Sequence, residues 1–173
     1  MKILFVDFDG VLRPYRYTQL CEQLWKENPT CKTRDDHGYY FAPYCMDALN
    51  YILAATGAYI VFSTDWRKNG LSELKALWKD RGYLFSDRII GITPILETAK
   101  RGDEITQWFR HVKKVDLNKI ESYAILDDHS DMGIEHLGRL IQTDIKYGLS
   151  LKNANDVVHV LETFKLTTTF ETP

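Results

Sequence analysis

The chain has 173 residues, 45% of them hydrophobic and 27% charged, with a formal net charge of -2. That length fits one domain with a sizeable core and leaves little room for a second. The near-neutral balance excludes a global electrostatic footprint for nucleic acid, so any contact with a polyanion has to be local.

The chain opens on KILFVDFDGVLRP, Lys2 to Pro14. Ile3 to Val6 read as a short buried parallel strand, and Asp7, Asp9 and Gly10 follow at its end. The carboxylates interrupt the apolar run too early for a signal peptide or a membrane span, and a cytoplasmic location is expected. Residues 13–42 read as an irregular insertion covering the strand tip. Leu20, Leu24 and Trp25 have helical spacing there, but Pro14, Pro29 and Gly38 are expected to interrupt anything longer. Cys21, Cys31 and Cys45 are an odd number, spaced too widely for a zinc knuckle, and are expected as reduced thiols.

Pro43 opens an expected helix through Ala55, with Gly57 placed as its C-terminal cap. Tyr59 to Phe62 form a second buried strand, which runs into Ser63-Thr64-Asp65-Trp66-Arg67 and a helix carrying Leu71, Leu74, Leu77 and Trp78. Arg88 to Ile92 are a third strand. After a loop holding Lys100 and Arg101, a helix is expected from Asp103 to about Val112. Tyr123 to Leu126 are a fourth strand, ending in Asp127-Asp128-His129-Ser130-Asp131. Leu140 to Thr143 are a fifth strand and Asn153 to Phe164 a last helix; residues 167–173 are expected as a flexible tail after one domain over 1–166.

Strands alternating with helices imply a parallel sheet with right-handed crossovers, so the strand tips share one edge. Asp7, Asp9, Ser63, Asp127 and Asp128 then converge in the crevice where open α/β sheets bind ligands. Carboxylates gathered in this way repel one another unless a cation neutralises them, and an all-oxygen set suits Mg²⁺. With a metal in place, one carboxylate can attack phosphorus while its neighbour transfers a proton. A hydroxyl such as Ser63 and a cation such as Arg101 can hold the phosphoryl oxygens.

These motifs resemble the haloacid dehalogenase (HAD) superfamily of phosphatases: DFDGVL matches the first motif, Ser63 the second, and ILDDHSD the acidic fourth. STDWRK, RGDEITQW, LDDHSD and a late YGLS are similar to the HAD domains of Swiss Army Knife RNA-repair proteins. The resemblance implies a three-layer Rossmann-like fold, with about five parallel strands and a small flap or cap insertion.

It also implies roles for particular residues. Asp7 is nucleophile and metal ligand, Asp9 acid/base with its carbonyl on the metal, Asp128 a direct ligand, and Asp127 and Asp131 support the metal. Arg101 is the third-motif cation, with Lys100 as competitor. Gly10, Thr64 and Arg67 are expected at the substrate; separately from the resemblance, which matches no motif in the insertion, the aromatic residues of 13–42 offer Tyr15 and Tyr17 as stacking surfaces. The implied activity is Mg²⁺-dependent phosphate-monoester hydrolysis on a nucleotide or the terminal phosphate of an oligonucleotide. A sugar-phosphate phosphatase and a non-catalytic binding domain are the alternatives. Glu22, Glu27, Asp35 and Asp36 nearly cancel the basic residues of the insertion, so no large basic nucleic-acid surface is expected.

Overall fold

The computed structural model describes residues 1–98, 100–111 and 119–166. Five strands, β1 (Lys2–Val6), β4 (Tyr59–Phe62), β5 (Ile89–Ile92), β6 (Ser122–Asp127) and β7 (Leu140–Gln142), form one sheet in the order β5-β4-β1-β6-β7. Every pairing in it is parallel. β1 therefore lies in the centre and is covered on both faces, which is why its sequence is an unbroken apolar run.

Alternation along the strands divides the core into two layers. Leu4 and Val6 of β1, Ile60 and Phe62 of β4, and Ala124 and Leu126 of β6 point into the larger one. There they meet α2 (Pro43–Thr56), α3 (Leu71–Asp80) and α5 (Leu151–Thr163). Ile3, Phe5, Val61 and Ile125 point the other way, onto α4 (Arg101–His111). Phe5 is the centre of that smaller layer, edge-on to Trp108 at 5.3 Å, Phe109 at 5.5 Å and Tyr123 at 6.1 Å. Edge-to-face contacts of this kind add to the burial of each ring.

The helix ends follow from local chemistry. Pro43 sits in the first turn of α2, where no amide partner is lost, and Gly57 closes the helix at φ 68° with its N–H on the Leu53 carbonyl. Ser150 and Asn153 cap α5 reciprocally.

The stretch expected to be irregular is instead mostly ordered into regular elements. A helix of 13 residues, α1 (Tyr15–Glu27), is followed by a two-rung hairpin of β2 (Arg34–Asp35) and β3 (Gly38–Tyr39). Pro14 immediately precedes α1 and Pro29 follows its cap at Asn28, so the prolines bound the helix and do not break it. α4 also starts two residues earlier than expected, which makes Arg101 its first residue. The expected helix end at Val112 and the tail from Thr167 to Pro173 lie outside the described residues. No described helix is long and apolar enough to cross a membrane.

Candidate active site

Ladder hydrogen bonds carry the sheet one residue beyond β1 and align the site. The Asp7 amide donates to the Leu126 carbonyl at 3.0 Å, and the Ser63 amide to the Val6 carbonyl at 3.0 Å. Asp7 thus stands between Ser63, which follows β4, and Asp127, the last residue of β6. Past Asp7 the chain turns tightly: the amides of Leu12 and Arg13 both donate to the Phe8 carbonyl at 2.8 Å. Gly10 takes φ +75° in this turn, and a Cβ there would lie 2.4 Å from Asp128 Cγ. Glycine is what lets the first loop close over the acidic one.

Asp7, Asp127, Asp128 and His129 each bring one ligand atom within 4.8 Å of the others. Asp7 Oδ1 and Asp128 Oδ1 are buried without a hydrogen-bond partner. Asp127 is committed, accepting from Arg101 Nε at 3.1 Å and from the His129 amide at 3.0 Å. Two carboxylate oxygens that accept no hydrogen bond, that of Asp128 lying 3.4 Å from His129 Nδ1, beside a third, braced carboxylate are a donor set that fits a hard divalent cation, with Asp7 and Asp128 as direct ligands. Asp131 lies at the neighbouring end of a pocket shared with Arg101 and His129.

Burial raises the Asp7 pKa from 3.8 to about 7; the Asp127 charge adds to the rise, and Arg101 opposes it. Asp127 is raised as well, first by burial and against the pull of Arg101. Burial alone would lower the Arg101 pKa, and Asp127, Asp7 and Glu104 more than reverse it. A cation at the cluster would relieve the same repulsion.

Arg101 reaches across the floor of the site, its guanidinium 4.0 Å from Asp7 Oδ1. Lys100 is exposed. Asp7, Asp9, Arg13, Tyr15, Arg101 and Asp128 are among the residues around a cleft of about 290 Å³. Gly10 lines it too, whereas Ser63 and Thr64 are fully buried. The Ser63 hydroxyl has no partner. The Thr64 hydroxyl accepts from the Trp66 amide.

Arg67 is placed differently from the substrate-facing position expected. It is 3% exposed and pairs with Glu104 of α4 at 2.5 Å, while donating to the Thr64 carbonyl at 2.7 Å. The short 3-10 turn over Asp65–Asn69 directs it inward, where it ties the second-motif loop to α4. Tyr17 also turns away: two residues on from Tyr15 it falls on nearly the opposite side of α1 and packs against the main core. Tyr15 lines the cleft and is 57% exposed. Farther along the insertion, Arg34 stacks on Trp25 and Tyr39, and Arg81 on Tyr40.

Sequence reasoning gave neither Arg13 nor Trp66 a part at Asp9, which they hold between them, and gave His129 no part at the metal cluster. The i, i+4 spacing of Asp9 and Arg13 was a signal for the first. Nothing local signals Trp66, which meets Asp9 only because β1 and β4 are neighbours.

A parallel sheet with an Asp-x-Asp-Gly loop on its central strand and an acid pair on the adjacent one defines an HAD-type domain. The chain belongs to the family described as the HAD domain in Swiss Army Knife RNA repair proteins, whose model matches residues 3–154. Two structures of the HAD domain of the effector protein Lem4 from Legionella pneumophila, one an inactive mutant, share the fold with a TM-score of 0.54. They are 15% and 14% identical to this chain, covering 93% of it and 95% and 94% of their own. No curated protein matches the chain by sequence.

Proposed function

We propose that this domain is a Mg²⁺-dependent phosphohydrolase whose substrate is a nucleotide or the terminal phosphate of a short oligonucleotide. The observation that carries the reading is Asp7 Oδ1: a buried carboxylate oxygen with no hydrogen-bond partner, facing a guanidinium 4.0 Å away. A nucleophile needs an uncommitted lone pair, and a phosphoryl group between the two would be held by Arg101 as it is attacked.

Asp7 attacks phosphorus, the ester P–O bond breaks, and Asp9 gives a proton to the departing oxygen. Asp9 then takes a proton from water as the water oxygen attacks the aspartyl-phosphate, which frees inorganic phosphate and restores Asp7. Mg²⁺ held by Asp7, Asp128 and the Asp9 carbonyl would neutralise charge on the phosphoryl oxygens.

The substrate assignment draws on the cleft mouth. Tyr15 and Ile145 line it, are 57% and 55% exposed, and are joined by a main-chain hydrogen bond of 2.9 Å. Arg13 stands beside them, and Arg16 stacks on Tyr147 at 4.8 Å. Exposed rings interleaved with arginines suit a base and its phosphate. Membership of a family named for RNA-repair proteins points the same way.

The test is phosphate release, with Mg²⁺ and with chelator, from a 3′-phosphorylated oligonucleotide, a mononucleotide and a sugar phosphate. The oligonucleotide is expected to have the highest kcat/KM, and chelator to remove all turnover. A sugar phosphate preferred by about tenfold, together with a silent Tyr15→Ala, would overturn the nucleic-acid assignment. No turnover on any ester would leave a binding domain. In the same assay Arg101→Ala should lose about 2–4 kcal/mol of transition-state stabilisation, as removal of a preorganised donor does elsewhere, and Lys100→Ala little. A larger defect in the Lys100 variant would transfer the role to that residue.

A further inference from the structure

Asp9 can serve as acid and base only if one carboxyl oxygen is aimed steadily at the leaving group, and the structure shows what aims it. Oδ2 accepts the indole N–H of Trp66 at 2.9 Å. Oδ1 accepts from Arg13 Nε at 2.6 Å. The two donors differ in their freedom. The Trp66 ring stands edge-on to Phe8 at 5.7 Å and tilted against Phe41 at 6.2 Å, both rings of the main core. Its amide is bonded to the Thr64 hydroxyl at the start of the 3-10 turn. The direction of the indole N–H is therefore set by packing and backbone together. Arg13 lies over the same ring, 4.6 Å from its centroid, and brings Nη2 as well as Nε to Asp9 Oδ1, but it does so on a long side chain that lines the cleft and, among the described residues, has no core ring packed on it to fix its direction.

We propose that Trp66 is the positioning residue for Asp9: its N–H anchors Oδ2 throughout the reaction, so that Oδ1 is the oxygen that exchanges the proton once Arg13 turns to the incoming phosphate ester. This rests on the phosphohydrolase reading above. In the first step the Asp7–phosphorus bond forms, the ester P–O bond breaks, and the proton passes from Asp9 Oδ1 to the ester oxygen, so the alcohol departs neutral. Without the indole N–H the carboxyl can swing about its two side-chain torsions, and proton delivery suffers in proportion to how much the leaving group needs it.

That proportion supplies a readout that a merely structural role would not move. p-Nitrophenolate leaves with little help from an acid, whereas an alkoxide needs nearly full protonation. kcat/KM, which reports steps up to departure of the alcohol, is compared for p-nitrophenyl phosphate and an alkyl phosphate in wild type, Trp66→Phe and Asp9→Asn. Trp66→Phe keeps a packed ring and removes the donor. It should lose about tenfold more on the alkyl ester than on the aryl ester, with the loss in kcat and KM little changed, as for impaired general-acid catalysis. Benzothienylalanine at position 66, which keeps both fused rings and lacks the N–H, should behave alike and serves if the phenylalanine variant does not fold.

Equal losses on the two esters in both position-66 variants, with Asp9→Asn still discriminating between them, would overturn the role of Trp66 and leave the proposed function standing. An Asp9→Asn variant that does not discriminate would overturn the assignment of Asp9 as acid, and the role of Trp66 with it.

Discussion

Asp7→Asn is expected to lower turnover by about four orders of magnitude or more, as loss of a covalent nucleophile does, while the protein gains stability. The gain has a definite pH dependence. The Asp7 carboxyl titrates at about 7 in the fold against 3.8 when unperturbed, chiefly because it is buried. The folded protein thus binds that proton more tightly than the unfolded chain does. The resulting stability is complete below pH 3.8 and is lost as the pH rises through 7. Above that, the wild type carries a buried charge whose cost is on the order of a few kcal/mol, and an asparagine of nearly the same volume does not. In metal-free buffer the variant should melt above wild type at pH 8 and converge with it near pH 4. Addition of Mg²⁺ should close the gap at pH 8 by stabilising the wild type alone. Full activity in a folded Asp7→Asn protein would remove Asp7 from the chemistry, and a lower melting temperature at pH 8 would contradict the electrostatics.

Gly102→Ala is expected to have the largest effect on stability. Gly102 is the second residue of α4 and is buried where the helix meets the acidic loop. A Cβ there would stand 1.8 Å from the Met132 carbonyl oxygen and 2.9 Å from Met132 Cα, and backbone cannot swing aside as a side chain can. Either α4 shifts, carrying Arg101 away from Asp7 and Asp127, or the loop does. A cost of about 3 kcal/mol or more is expected for overpacking of this kind, which lowers the melting temperature by roughly 6–12 °C in a domain of this size. Gly138→Ala is the control, since nothing lies within 4 Å of a Cβ at that position. If the two variants melt alike, the close approach of α4 to Met132 is wrong.

How much of this could be read beforehand depended on distance along the chain. The three inner strands were legible because a strand covered on both faces must be an apolar run, and Ile3 to Val6, Tyr59 to Phe62 and Tyr123 to Leu126 are just that. Asp7 and Asp128 were legible because each directly follows such a run or comes one residue later. Helix α1 was not, because a proline reads as a breaker unless its place relative to the helix is known. The outer side of α1 also exposes Leu20 and Leu24, which blurs the contrast between faces. The inward turn of Arg67 was hidden for a similar reason: in a 3-10 turn of five residues, one step of phase decides between solvent and Glu104. The contact between Trp66 and Asp9 spans 57 positions and exists only through the register of two strands.

The central place of β1 also governs when the site can come into being. Its residues are synthesised before those of either neighbour: β4 begins at Tyr59 and β6 only at Ser122. Both pairings close long loops, so the sheet has to wait on contacts that are slow to form. A chain emerging from the ribosome would offer Asp7 and Asp9 on a strand with open edges, and could not bring Asp127 and Asp128 against them until about 120 further residues had been made. Competence to hold a cation should therefore arrive late and abruptly, with the docking of β6, making metal capture a marker for completion of the nascent domain.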